Sequence, residues 1–160
     1  MQMKILSPKG KYKDENTYED VITYVTRADK CPSGYIITRN VNRDTIAEDM
    51  ATYDREFHKR EGCTKIRHAV ISFEDRDNVT LELAADIAGI ACDHYKEYPV
   101  VAAVHEDTDN LHIHMVMGTT NVRTGKKYTG RKKDYYDFQN ELKNVARKND
   151  MKYRNVKYSS

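Results

Sequence analysis

Apolar residues recur every second position in some stretches of the chain and at helical spacing in others, and the alternation between the two periods outlines the elements. Met3 to Leu6 reads as a short strand followed by the polar turn Ser7-Pro8-Lys9-Gly10. Thr17-Tyr18-Glu19-Asp20 has the form of a capping box and opens a helix that carries Val21, Ile22 and Val25 and ends between Asp29 and Ser33. Tyr35 to Thr38 is compatible with a strand or a loop. Ile46, Met50, Tyr53 and Phe57 form one stripe of a helix from about Asp44 to Lys59, its outer face charged. Ile66 to Phe73, rich in β-branched residues, predicts a central strand. Thr80 caps a helix from about Leu81 to Tyr95 that turns Leu83, Ile87, Ile90 and Ala91 inward. Two further strands follow, Tyr98 to His105 and Leu111 to Met117, joined by the turn composition Asp107-Thr108-Asp109-Asn110. A last helix from about Asp134 to Lys148 puts Tyr135, Phe138, Leu142 and Val145 on one stripe, and the basic tail Met151 to Ser160 has no clear period.

This order predicts an α+β domain, an antiparallel central sheet with its helices packed mainly on one face and the other face solvated. The 160 residues suit one domain spanning 1–160. Charged residues make up 32% of the chain and the mean hydropathy is -0.85, so the core is modest and the surface heavily charged. The net charge of +2 excludes a generic polycation and leaves room for a local basic patch. Cys31, Cys63 and Cys92 are odd in number and have no C-x-x-C spacing, which points to free thiols in a reducing cytoplasm. No stretch approaches the roughly 20 apolar residues of a membrane span, and Met1 to Leu6 lacks a signal-peptide core, so a soluble intracellular protein is expected.

The chemistry concentrates in His105-Glu106-Asp107-Thr108-Asp109-Asn110-Leu111-His112-Ile113-His114. Strand side chains alternate between faces, so His112 and His114 point the same way, roughly 7 Å apart, while Leu111, Ile113, Met115 and Met117 face the core. A hairpin brings His105 beside them. Three neutral imidazoles with an open side form a catalytic type of metal site, whereas a closed structural site needs a fourth protein ligand. His58, His68 and His94 are isolated and read as ordinary helix or strand residues. After the hairpin, residues 121–133 hold six basic residues, with Tyr128 among them. A metal beside such a loop suits a phosphodiester better than a carbonyl. Among the 12 tyrosines composition alone selects no nucleophile.

The spacing of His105, Asp107, His112 and His114 resembles the third motif of the relaxases, the mobilisation nucleases of plasmid transfer within the HUH endonucleases, of the MOB-P-like kind. Ile22-Thr23-Tyr24-Val25-Thr26-Arg27-Ala28-Asp29-Lys30 is similar to that family's early tyrosine motif. Arg67-His68-Ala69-Val70-Ile71-Ser72-Phe73 resembles the strand before its middle helix, and Gly125-Lys126-Lys127-Tyr128 the segment after its histidine strand. The matches run in order over roughly residues 18 to 150. The resemblance implies an RRM- or ferredoxin-like palm and strand-specific nicking of single-stranded DNA at an origin of transfer. It makes Tyr24 the nucleophile, with Tyr18 the next candidate on another helix face, and implies Mn²⁺ or Mg²⁺ on His105, His112 and His114. Asp107 would act as base or hold a ligating imidazole in its tautomer, the second role being favoured. Lys126, Lys127, Arg131, Lys132 and Lys133 would contact phosphates with Tyr128 stacking on a base, and Arg27 and Lys30 would flank the scissile phosphate. Relaxosome accessory proteins and a coupling protein are the implied partners. Gly118 stands where the family often has asparagine, and the chain is short for the family, as a minimal relaxase or a truncated domain would be.

Other readings stay open from sequence. A rolling-circle replication initiator or a single-strand transposase shares the histidines and tyrosine. A non-haem iron oxygenase would use His-x-Asp with a distant histidine. A DNA-binding accessory protein would bind without cleaving.

Overall fold

A computed structural model describes residues 1–6, 11–57 and 62–158. The predicted turn at Ser7 to Gly10, His58 and the end of the second predicted helix at Lys59 lie outside the described residues. The elements run β1 (Gln2–Leu6), α1 (Thr17–Val25), β2 (Ile36–Arg39), α2 (Ile46–Phe57), β3 (Ile66–Ser72), α3 (Leu81–His94), β4 (Val100–His105), β5 (His112–Gly118) and α4 (Lys132–Lys148). The strands form one antiparallel sheet in the order β1-β3-β5-β4-β2. Tyr35 to Thr38, ambiguous in sequence, largely falls in β2, an edge strand paired with β4.

Period-two alternation divides the sheet into two chemically distinct faces. Ala69 and Ile71 of β3, Ile113, Met115 and Met117 of β5, and Val100, Ala102 and Val104 of β4 share one face, and all are buried against Ile87, Ala88 and Ala91 of α3 and Phe138, Leu142 and Ala146 of α4. The opposite face carries Ile66, Val116 and Val101 at one end, where Tyr18, Ile22 and Val25 of α1 and Ile46 and Met50 of α2 cover them in a second core. Helices therefore pack on both faces. The expected antiparallel α+β sheet is present, but the face read as solvated is half covered, because apolar residues on α1 and α2 need a partner surface and Ile66, Val101 and Val116 supply it. The uncovered half holds the histidines.

Local details differ from the sequence pattern in instructive ways. Thr17 is the first residue of α1 rather than its cap. Asn16 is the cap residue and makes no side-chain cap bond, while the Asp14 carboxylate braces the turn before the helix, accepting from the backbone N–H of Asn16 at 2.9 Å and from the Thr17 hydroxyl at 3.4 Å. Thr80 caps α3 as expected, accepting from Leu83 N–H at 3.1 Å. Phe57 is 46% exposed and leaves the sheet-facing stripe of α2. Its ring lies against Gly125, where a Cβ would come within 2.5 Å of it. At Gly118 a Cβ would approach Pro99 Cγ to 2.7 Å, so the end of β5 packs too closely on Pro99 for an asparagine to stand there. The tail docks on α4, with Tyr135 Oη and Gln139 Nε2 donating to the Val156 carbonyl at 2.8 and 3.0 Å. The three cysteines are free.

Leu142, fully buried between α4 and the sheet, is a test of the larger core. Leu142→Ala is expected to lower unfolding free energy by about 2–5 kcal/mol in urea melts followed by circular dichroism. The exposed Asn140→Ala on the same helix is expected to stay within about 0.5 kcal/mol of the parent.

Candidate active site

Register in the β4–β5 hairpin builds the histidine cluster. His105 and His112 are direct cross-strand partners, and His114, opposite Ala103, is the diagonal neighbour of His105 on the same face. The His105 and His114 rings stack with centroids 4.2 Å apart, and His112 lies edge-on to both at 5.2 Å. One ring nitrogen from each of the three lies within 4.8 Å of the others. The hairpin thus brings together all three histidines nominated from sequence.

The other nitrogen of each ring is occupied. His105 Nε2 sits 2.7 Å from the Val25 carbonyl at the end of α1 and must donate to it, which leaves the lone pair on Nδ1. That Nδ1 is buried, 1% of the residue being exposed, and has no hydrogen-bond partner. His112 Nδ1 is 3.3 Å from the Asn110 carbonyl, and its Nε2 faces the cluster. His114 Nδ1 is 2.8 Å from His68 Nε2, so its own Nε2 is the nitrogen turned toward the other two rings. An unpartnered buried nitrogen and a convergent set of imidazoles fit a divalent transition ion. Burial favours the neutral form of His105, His114 and His68. It lowers the His105 pKa, and with neighbouring histidines it brings His114 down to about 3 and His68 to about 4.

Asp107 does not back any of these imidazoles. Its Oδ1 lies 3.7 Å from His112 Nε2 and 4.0 Å from His105 Nδ1, beyond hydrogen-bond length and on the side of the nitrogens left free for a ligand. The ring nitrogens turned away from the cluster are met instead by the Val25 and Asn110 carbonyls and by His68. Asp107 is anchored by Lys30 Nζ at 2.9 Å, and that hydrogen bond holds its carboxyl below the usual range.

Tyr24 lies at the C-terminal end of α1, 44% exposed, its ring edge-on to His105 at 6.3 Å and to His114 at 5.9 Å between centroids. Lys30 Nζ sits 5.1 Å from the Tyr24 ring centroid, linking tyrosine and Asp107. The turn after α1 is stitched to the hairpin. Glu106 N–H donates to the Lys30 carbonyl at 2.8 Å, and the Glu106 carboxylate accepts from Ser33 N–H and hydroxyl at 3.1 and 3.0 Å. Tyr18, the second tyrosine candidate, is 5% exposed in the smaller core, where burial and Asp54 raise its pKa, and it is turned away from the histidines. Arg27 pairs with Asp29 at the surface.

The basic loop is not beside the histidines. It follows Gly118, and β5 runs seven residues from His112 to Gly118, roughly 20 Å of strand. Lys126, Arg131, Lys132 and Lys133 are exposed there. Lys127 and Tyr128 are not available as proposed from sequence: Lys127 Nζ lies 3.6 Å from Asp54 Oδ1, and the Tyr128 ring packs against Tyr95 and Tyr98 under the Arg67 guanidinium with its hydroxyl buried. Alternation signals cannot reveal this, since both residues sit in an irregular segment. Nearer Tyr24, an open groove of about 430 Å³ runs between α1 and the start of α2, lined by Thr23, Thr26, Ile36, Arg43 and Thr45 among others. Sequence reading missed His68, taken as an ordinary strand residue. Its parity was the available signal, since Ala69 and Ile71 face the core and His68 must face the other way. His94, also read as ordinary, ends α3 and pairs with Glu141 of α4.

Residues 24–151 match the family model described as relaxase, MobA/VirD2-like, nuclease domain. The match covers most of the chain and includes Tyr24 and every histidine of the cluster, so the chain belongs to this relaxase family, whose members are DNA-nicking nucleases. No curated protein and no solved structure matches the chain at a significant level. Among the described residues no helix is long and apolar enough to cross a membrane.

His68 and His114 titrate far below a free imidazole, whose pKa is about 6.5. Between those values the unfolded chain binds protons that the folded chain does not, so stability rises with pH across the window and is lost as pH falls from about 6.5 toward 4. Thermal melts in chelator at pH 7 and pH 5 are expected to show a lower Tm at pH 5, with the difference shrinking in His68→Gln. An equal Tm at both pH values would show that the buried rings are not held neutral.

Proposed function

We propose that this relaxase nicks single-stranded DNA at an origin of transfer by tyrosine transesterification, with Tyr24 as nucleophile. The observation that carries the reading is the position of the Tyr24 ring on the open side of the cluster, against His105 and His114. An exposed phenol beside buried neutral imidazoles matches a nucleophile next to a charge-neutralising centre, while Tyr18 is buried in the smaller core.

A divalent ion, Mn²⁺ or Mg²⁺, held by His105, His112 and His114 would neutralise charge on the scissile phosphate. Tyr24 Oη attacks phosphorus, the bond to the 3′ oxygen breaks, and the products are a 5′-phosphotyrosine and a free 3′-hydroxyl. One phosphodiester replaces another, so the step is reversible and the ends can be rejoined. A free phenol has a pKa of about 10 and needs a proton acceptor. Asp107, held ionised by Lys30, would be that acceptor, and the Lys30 ammonium over the Tyr24 ring would favour the developing phenolate. The groove beside α1, with Arg43 in its lining, would take the flanking nucleotides, Arg27 and Lys30 on the turn after α1 would flank the scissile phosphate, and the exposed Lys126, Arg131, Lys132 and Lys133 would engage DNA farther along. Relaxosome accessory proteins and a coupling protein would complete the transfer apparatus. The family match favours this reading over an iron oxygenase, for which the tyrosine and the basic segment have no use.

Wild-type protein incubated with Mn²⁺ and single-stranded origin oligonucleotides is expected to give a protein–DNA adduct on a denaturing gel. Tyr24→Phe should give none, and an adduct at the wild-type level would remove Tyr24 as nucleophile. If Asp107 takes the proton, Asp107→Asn should slow adduct formation by about 10²–10⁴-fold while DNA binding holds.

A further inference from the structure

We propose that His68, backed by Tyr12, is a positioning residue that holds His114 as the Nδ1–H tautomer and thereby makes its Nε2 a metal ligand. The inference rests on the metal reading of the three histidines above and concerns a residue outside that set.

The geometry leaves few choices for the protons. His68 is 4% exposed and its Nε2 lies 2.8 Å from His114 Nδ1, so one of the two nitrogens carries a hydrogen and the other a lone pair. If His68 donated, His114 would have its hydrogen on Nε2, the nitrogen that faces His105 and His112, and could not ligate. The productive arrangement is the reverse, with His114 Nδ1–H donating to the His68 Nε2 lone pair. His68 Nδ1 then carries the hydrogen, and the structure provides its acceptor: Tyr12 Oη at 3.4 Å. Donor and acceptor roles thus run consistently from the free lone pair on His114 through His68 to a phenol oxygen.

Two features show that this arrangement is built rather than incidental. Tyr12 adopts φ 66°, a left-handed conformation that a tyrosine does not take without support, and its carbonyl is held by Lys65 N–H at 2.7 Å, beside the start of β3. The cross-strand register sets the other contact: Val70 is opposite His114 and His68 is two residues away on the same face, within diagonal reach. The backing group is also neutral. Carboxylates commonly back metal-bound histidines and add negative charge to the site. Here the three ligand rings are backed by two backbone carbonyls and an imidazole, so an ion would keep more of its charge for a phosphate.

Because the tautomer exists before metal binds, it can be read in the metal-free protein. Long-range ¹H–¹⁵N correlation spectra in chelator at pH 7 are expected to show His114 protonated on Nδ1 and unprotonated on Nε2. Calorimetric titration with Mn²⁺ is expected to show about 10–100-fold weaker binding for His68→Ala. His68→Gln, whose amide oxygen can accept the same hydrogen, should recover much of that loss, and Tyr12→Phe should weaken binding by a smaller factor. His114 protonated on Nε2 in the wild type would overturn the proposal without any variant, as would His68→Ala binding Mn²⁺ within twofold of the wild type. Wild-type protein that binds no Mn²⁺ would overturn the metal reading itself and with it the role given to His68, an outcome distinct from a defect confined to the variants.

Discussion

The hydrogen bond from His105 Nε2 to the Val25 carbonyl joins the two halves of the site, and the rest of the arrangement depends on it. A helix of any sequence ends with carbonyls that have no partner within it, and Val25 is the last residue of α1. Spending that carbonyl on a strand histidine does two things at once. It fixes which His105 nitrogen is free, and it fixes the end of the helix on which Tyr24 sits one residue earlier. The bond is buried, so breaking it would strand a donor and an acceptor away from water, a loss of about 1–3 kcal/mol for each group. The contacts among Lys30, Ser33, Glu106 and Asp107 reinforce the same junction from the solvent side.

Charge is distributed to suit this plan. The buried part of the site is neutral, made of imidazoles whose outer nitrogens are satisfied by carbonyls or by one another. Formal charges lie at its rim, where Asp107 and Lys30 pair directly and the Lys30 ammonium also sits over the Tyr24 ring. The sheet face follows the same division. α1 and α2 seal the apolar half, and the histidine half is left for a polar substrate. A fully solvated face, as the sequence pattern suggested, would have provided no helix end to orient His105.

Elements with a strong period were legible in sequence: α3 with its Thr80 cap, the β4–β5 hairpin, and α4 with Phe138 and Leu142 inward. The three histidines were legible because alternation in a strand fixes their face and a short turn fixes their neighbour. The placement of α1 and α2 on the second face was not, since an apolar stripe reports that a helix is covered without saying by which surface. His68 escaped because a lone histidine in a strand has meaning only once the neighbouring strand is known. Asp107 lies on the side of the nitrogens left free for a ligand rather than behind a ligating imidazole, a distinction that depends on loop geometry and that strand alternation cannot give. The basic segment was read as near the histidines because it follows them in sequence, whereas the length of β5 separates the two.

The strict alternation of β5 has one more consequence. His112 and His114 interleave with Ile113, Met115 and Met117, so a slip of one residue in pairing would turn both imidazoles into the larger core and put apolar side chains where a phosphate must lie. The same slip would leave His105 facing isoleucine. A hairpin slipped by one residue presents neither His112 nor His114 beside His105, so molecules in that register contribute bulk protein without contributing chemistry. For this chain, the fraction of molecules that can react is itself a measure of how many have found the correct strand register.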